Sequence, residues 1–166
     1  MRTCITMFTL VGVLALTTVE AQIPKKEEIP KYLGQLKNST SARERAEAAA
    51  AIGRRGALSV NDVKEALEPL ADLVKSDSDA QVRSAAAKAL GDIGSQPTLA
   101  VPALTEALKD KAMGVKMAAI NALGQFGPEA RPALPQLRAI AQEKKDKKLS
   151  QAANQAVKAI SGKKKN

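Results

Sequence analysis

The sequence predicts an all-α fold, a solenoid of about four antiparallel helix pairs, and three observations carry that expectation. An alanine-rich phrase recurs: Val82 to Gly94 is echoed 33 residues on by Val115 to Gly127, and more faintly 34 residues later by Leu149 to Ser161. Within each copy the apolar residues keep helical spacing. Val82, Ala86, Ala89, Leu90 and Ile93 answer to Val115, Ala119, Ala122, Leu123 and Phe126, the stripe of a helix buried along one face. Each copy is preceded by a second helical pattern, and a fixed period built from paired helices is the signature of stacked repeats.

The chain opens with Arg2, an apolar run from Ile5 to Leu16, and small residues at Val19 and Ala21. That is the pattern of a secretory signal peptide over residues 1–21, cleaved after Ala21. Threonines interrupt the run, which is shorter than the ~20 residues of a spanning helix. The repeat region is expected over 22–162, with repeats at about 27–56, 62–94, 97–127 and 130–162, followed by a basic tail at 163–166.

In the first repeat Ile29, Pro30, Tyr32 and Leu36 begin one helix, and Ser41 to Gly56 form its partner. There Arg45, Ala48, Ala51, Ile52 and Gly53 match Arg83, Ala86, Ala89, Leu90 and Gly91. The first helices of the remaining repeats are expected at Val63 to Lys75, Leu99 to Lys109 and Ala130 to Glu143. Their apolar positions are Leu67, Leu70 and Val74; Val101, Leu104 and Leu108; and Leu134, Leu137 and Ala141. Pro30, Pro69, Pro102 and Pro135 fall in or near the first turns, where the fixed φ of proline starts or bends a helix. Gly94 and Gly127 supply ends for the second helices, since glycine tolerates the left-handed conformation found there.

On the phrases Asp79 to Gly94 and Val101 to Gly127, the chain resembles HEAT-repeat proteins, particularly the short repeats of phycobilisome lyases. The resemblance is strong over residues 63–142 and weaker at both ends, where a solenoid departs from consensus to cap itself. It implies a right-handed solenoid whose motif acids and bases link neighbouring repeats. Arg45, Asp79 (or Asp77), Arg83, Asp110 and Lys116 are the expected ladder, interrupted at Ser150. The resemblance also implies that the second helices line a concave surface. Gln81, Ser84, Lys88, Met117, Asn121, Gln125, Gln151, Asn154, Gln155 and Lys158 would make its polar, weakly basic floor, a place for a protein or peptide partner.

Composition narrows the function. Beyond residue 21 the chain has no cysteine and no histidine, which excludes zinc fingers, haem attachment, thiol chemistry and histidine acid/base catalysis. An exported protein without disulfides holds together by packing alone, and 29 alanines against Tyr32 and Phe126 as the only aromatics suit close helix contacts. Ser76, Asp77, Ser78 and Asp79 lack the glycine and the distant glutamate of a calcium loop, so capping the next helix is their expected role. No metal, cofactor or catalytic residue is expected, and the chain reads as a non-enzymatic, secreted or periplasmic scaffold.

Residues 22–94 carry 12 basic and 11 acidic side chains, whereas residues 95–166 carry 13 and 5. Lys144, Lys145, Lys147, Lys148, Lys163, Lys164 and Lys165 concentrate this charge and are candidates for contact with nucleic acid or an anionic surface. Two aromatics cannot build a stacking platform for single strands. The remaining alternatives are a lyase-like accessory to chromophore chemistry and a binder resembling the HEAT-type alkylpurine DNA glycosylases. The latter would need a groove with several Arg and Lys together with aromatics and a catalytic acid, and only scattered Lys88 and Lys158 meet the first demand.

Overall fold

A computed structural model describes residues 23–143 and 146–162. The expected signal peptide at 1–21, the tail at 163–166, and Lys144 and Lys145 lie outside the described residues. The α-helices are α1 (Ile29–Asn38), α2 (Ala42–Gly56), α3 (Leu67–Ser76), α4 (Ala80–Ile93), α5 (Pro97–Ala107), α6 (Met113–Phe126), α7 (Leu134–Gln142) and α8 (Lys147–Ser161). They form four consecutive pairs, each packed internally, and α2, α4, α6 and α8 stack on one another as a second layer. No strand occurs among the described residues, and no helix among them is long and apolar enough to cross a membrane.

The second helix α4 begins with the cap that the sequence predicts, and two others are capped in the same way. Ser41, Asp79 and Asp146 cap α2, α4 and α8 by accepting hydrogen bonds from amides of the first turn. The α6 terminus has Ala112 at the same place and no side-chain cap. Gly94 closes α4 with φ 61°, a left-handed conformation that disfavours any residue with a Cβ.

Three of the first helices depart from expectation at their starts, and at α5 and α7 proline is the reason. α3 begins at Leu67 rather than Val63, after 3-10 turns at Val60–Asp62 and Lys64–Ala66. α7 begins at Leu134 rather than Ala130, because a 3-10 run spans Gly127–Ala133. Pro128 and Pro132 lack amide hydrogens and cannot join an α ladder there. α5 starts early instead, with Pro97 at its first position, so Pro102 stands inside the helix and not in its first turn.

One apolar cluster runs from Ile29 and Leu36 through Leu70, Leu90, Leu104, Leu123 and Leu137 to Ile160, and no polar or charged side chain belongs to it. Alanine and glycine set the spacing of the second layer. A Cβ on Gly53 would stand 2.8 Å from Ala89 Cα, and one on Gly91 would stand 2.8 Å from Ala122 Cα. Gly124 faces Ala156 less tightly, at 3.5 Å. At the first pair, Asp62 accepts from Arg55 Nε at 2.8 Å and lies 3.3 Å from Lys26 Nζ, which ties the turn after α2 back to the start of α1.

Candidate functional site

Two sets of polar side chains sit on this frame, one structural and one open to a ligand. The structural set lies at the loops inside each pair. Arg45 grips Asp77 with both ends of its guanidinium, Nε at 2.7 Å and Nη2 at 2.9 Å, and donates to its own loop at Ser39 O, 3.0 Å. Arg83 repeats the pattern one step on. It holds Asp110 at 2.7 and 3.0 Å and donates to Asp77 O at 2.8 Å and Ser78 O at 3.1 Å. Each arginine therefore joins its own loop to the next, and the planar bidentate fork fixes the spacing between repeats.

Burial alone would push the Asp77 carboxyl up, but the Arg45 hydrogen bond, the Asp79 amide and the nearby Arg83 charge outweigh it and hold the group below its ordinary value. The Arg83 hydrogen bond, opposed by burial, does the same for Asp110. The reciprocal bonds raise both guanidiniums, so all four groups are charged at neutral pH.

The expected ladder needs two corrections. Asp79 is not a rung: its carboxylate accepts from the amides of Gln81 and Val82 as the α4 cap, and Asp77 takes the ladder position. Lys116 makes no ion pair among the described residues. A lysine ammonium lacks the fork that reaches two loops at once. At the corresponding place in α8, the Ser150 hydroxyl donates to Ala141 O in the last turn of α7 at 2.8 Å and makes no bond to a further repeat among the described residues.

The open set lies between α4 and α6. Ser84, Lys88 and Asp92 from one helix and Gly114, Met117, Asn121 and Gln125 from the next surround a hollow of about 360 Å³. Helical spacing explains the grouping, since residues three or four apart share a face. Five of the ten expected floor residues meet here. Gln81, Gln151, Asn154, Gln155 and Lys158 are exposed along the same layer but stand outside this hollow. The floor is also not basic here, because Lys88 forms an ion pair with Asp92. Sequence reasoning overlooked Asp92, although its position four residues after Lys88 was the available signal.

A larger hollow, about 730 Å³, lies on the first-helix side between α5 and the Gly127–Ala133 turn, lined by Pro97, Val101, Pro102, Thr105, Glu106 and Pro132 among others. It too escaped the sequence reading, and the cluster of prolines was its only trace. Among the described residues no group of three or more His, Cys, Asp or Glu side chains gathers that could hold a metal.

A likeness in known structures accompanies this geometry. A designed armadillo repeat protein in complex with the peptide (KR)4 superimposes with a TM-score of 0.65 at 22% identity, over 82% of this chain and 69% of that one. The complex of CpcE and CpcF of phycocyanin lyase from Nostoc sp. PCC7120 gives 0.63 at 22% identity, over 76% and 78%. An engineered protein gives 0.64 at 24% identity over 81% of this chain, which spans 62% of its length. At these identities the likeness concerns the fold. No curated protein matches the sequence. The family description for HEAT repeats does match, at residues 29–101 and again at 96–158, and so takes in all eight helices. With its paired helices, its arginine–aspartate ladder and these two matched segments, the chain belongs to the HEAT-repeat family.

Proposed function

We propose that this chain is a non-catalytic scaffold that binds an extended peptide segment of a protein partner along its second-helix layer, in an exported compartment. The observation that carries the reading is the hollow between α4 and α6. Its side chains are exposed amides, a hydroxyl and an ion pair around half-buried Met117, the mixture that holds a peptide backbone by hydrogen bonds while covering one apolar side chain. The repeat fold supports it, because stacked helix pairs create the extended surfaces that such proteins use for binding. The structural neighbour that holds a peptide supports the same kind of partner.

A second reading, an accessory to chromophore chemistry, draws support from the likeness to a phycocyanin lyase and from the first-helix hollow, whose volume lies within the usual range of small-molecule pockets.

Crosslinking in the native envelope followed by mass spectrometry identifies the partner, and amino-terminal sequencing of the same material should return Gln22 first. Lys88→Glu with Asn121→Glu should then abolish capture of that partner. Capture that survives the double substitution overturns the groove assignment. Saturable binding of a linear tetrapyrrole, with no peptide partner found, decides for the second reading.

A further inference from the structure

The ladder has a consequence for the surface beside it. Lys75, Ser78, Lys109 and Lys111, with Asp77, Arg83 and Asp110, surround a polar hollow of about 420 Å³ between the loops of the second and third pairs. Every carboxylate there is already engaged. Asp77 is held by Arg45 and accepts from the Asp79 amide; Asp110 is held by Arg83 and accepts from the Ala112 amide; Asp79 caps α4. Side-chain exposure is 4% at Asp77 and 11% at Asp110, so the acids are withdrawn from the mouth of the hollow.

The lysines are not withdrawn. Lys75, Lys109 and Lys111 are exposed, and among the described residues none of them makes a side-chain ion pair or hydrogen bond. Counting Arg45 and Asp79, which flank the hollow, five cations (Arg45, Lys75, Arg83, Lys109, Lys111) face three carboxylates (Asp77, Asp79, Asp110), an excess of two. Glu106 lines the first-helix hollow together with Lys109 and is not among the residues lining this one. The mouth is therefore cationic, and its charges are solvated lysines free to reorient toward a ligand.

This hollow lies beside the α4–α6 groove. Arg83 of the one adjoins Ser84 of the other, and Lys111 precedes Gly114 by three residues. Ser84 Oγ donates across the seam to Gly114 O at 3.3 Å. From Gly114 to Gln125 the seam is about 16 Å long at the rise of an α-helix, room for about five extended residues.

We infer that the partner segment is an acidic peptide, with clustered Asp or Glu side chains seated among Lys75, Lys109 and Lys111 and about five following residues laid along the α4–α6 seam. The inference rests on the groove reading above and names the chemistry of its ligand. An extended acidic chain is the occupant, because three exposed lysines stand beside a groove whose own amides and hydroxyl suit a peptide backbone.

The test is fluorescence anisotropy with three labelled ten-residue probes: an Asp/Glu cluster followed by Ser/Asn residues, the same composition scrambled, and a Lys/Arg counterpart. The clustered acidic probe should bind best and weaken as salt rises. Lys75→Ala, Lys109→Ala and Lys111→Ala together should weaken it about tenfold and flatten the salt dependence. Circular dichroism of that variant should match the parent and its thermal midpoint should lie close to it, since the three lysines are exposed and make no ion pair among the described residues. Asn121→Glu with Gln125→Glu should weaken the probe independently of the lysine cluster. If the lysine variant binds as before while the groove variant does not, the acidic partner is wrong and the groove stands. If the reverse holds, the groove reading is wrong and binding is at the loops alone. Equal affinity for the Lys/Arg probe, or tighter binding to vesicles containing phosphatidylserine or to an oligonucleotide, overturns the inference.

Discussion

The two rungs of the ladder show how closely a residue's job depends on its place. Asp77 and Asp79 are two positions apart, and both are acids next to a motif arginine, yet one bridges repeats and the other caps a helix. The recurrence of Arg45 and Arg83 made the ladder legible in the sequence. Which aspartate met each arginine was not legible, because the choice depends on where α4 begins. The folded values of Asp77 and Asp110 are depressed, so the unfolded chain takes up their protons at higher pH than the folded one. Their contribution is complete above the ordinary carboxyl value of about 3.9 and disappears as pH falls through the folded values. Asp110→Asn should therefore lower stability at neutral pH by about 1–2 kcal/mol, with the gap to the parent narrowing as pH falls below the ordinary carboxyl value. Asp79→Asn keeps a capping oxygen and should change little over the same range. Urea unfolding across that range separates the roles, and equal losses for both variants would make Asp79 a rung after all.

Among the elements, the second helices were read well and the first helices poorly. Alanine, leucine and glycine at fixed spacing leave a second helix one register, whereas the first helices open with prolines whose effect depends on the residues before them. Pro97 lets α5 begin early and places Pro102 inside it, while Pro128 and Pro132 confine the chain to 3-10 turns before α7. The caps follow the repeat more strictly, and their one lapse is informative. Ala112 lies 33 residues after Asp79, in the same extended conformation (ψ 123° against 127°), with its amide bonded to Asp110 as that of Asp79 is bonded to Asp77. Ala112→Asp should restore the missing cap and stabilise the fold by about 1 kcal/mol, helped by the positive end of α6 and by Lys111 and Lys116 nearby. A thermal midpoint that falls instead would mean that the apolar packing of the Ala112 methyl group outweighs the cap.

For the whole molecule, the architecture was legible because a solenoid repeats its sequence wherever it repeats its contacts. The surface was only half legible, since the hollows depend on loop geometry and on which acids the ladder withdraws. The second layer also sets how stability is distributed. Gly53 and Gly91 admit the next helix to within contact of their own backbone, Gly124 leaves more room, and Lys158 takes the glycine's place in α8. Gly53→Ala should thus push α4 away and cost about 1–3 kcal/mol. Gly124→Ala finds Ala156 at an ordinary contact distance and should gain about 0.5–1 kcal/mol from the better helix former. Each repeat touches mainly its neighbours, and these two positions lie in different seams, α2–α4 and α6–α8. The double variant should accordingly equal the sum of the two changes to within about 0.5 kcal/mol. Chemical denaturation of the four proteins measures it. A larger coupling would show that the apolar core transmits strain along the whole stack, so that the spacing of α2 from α4 is set in part by α6 and α8.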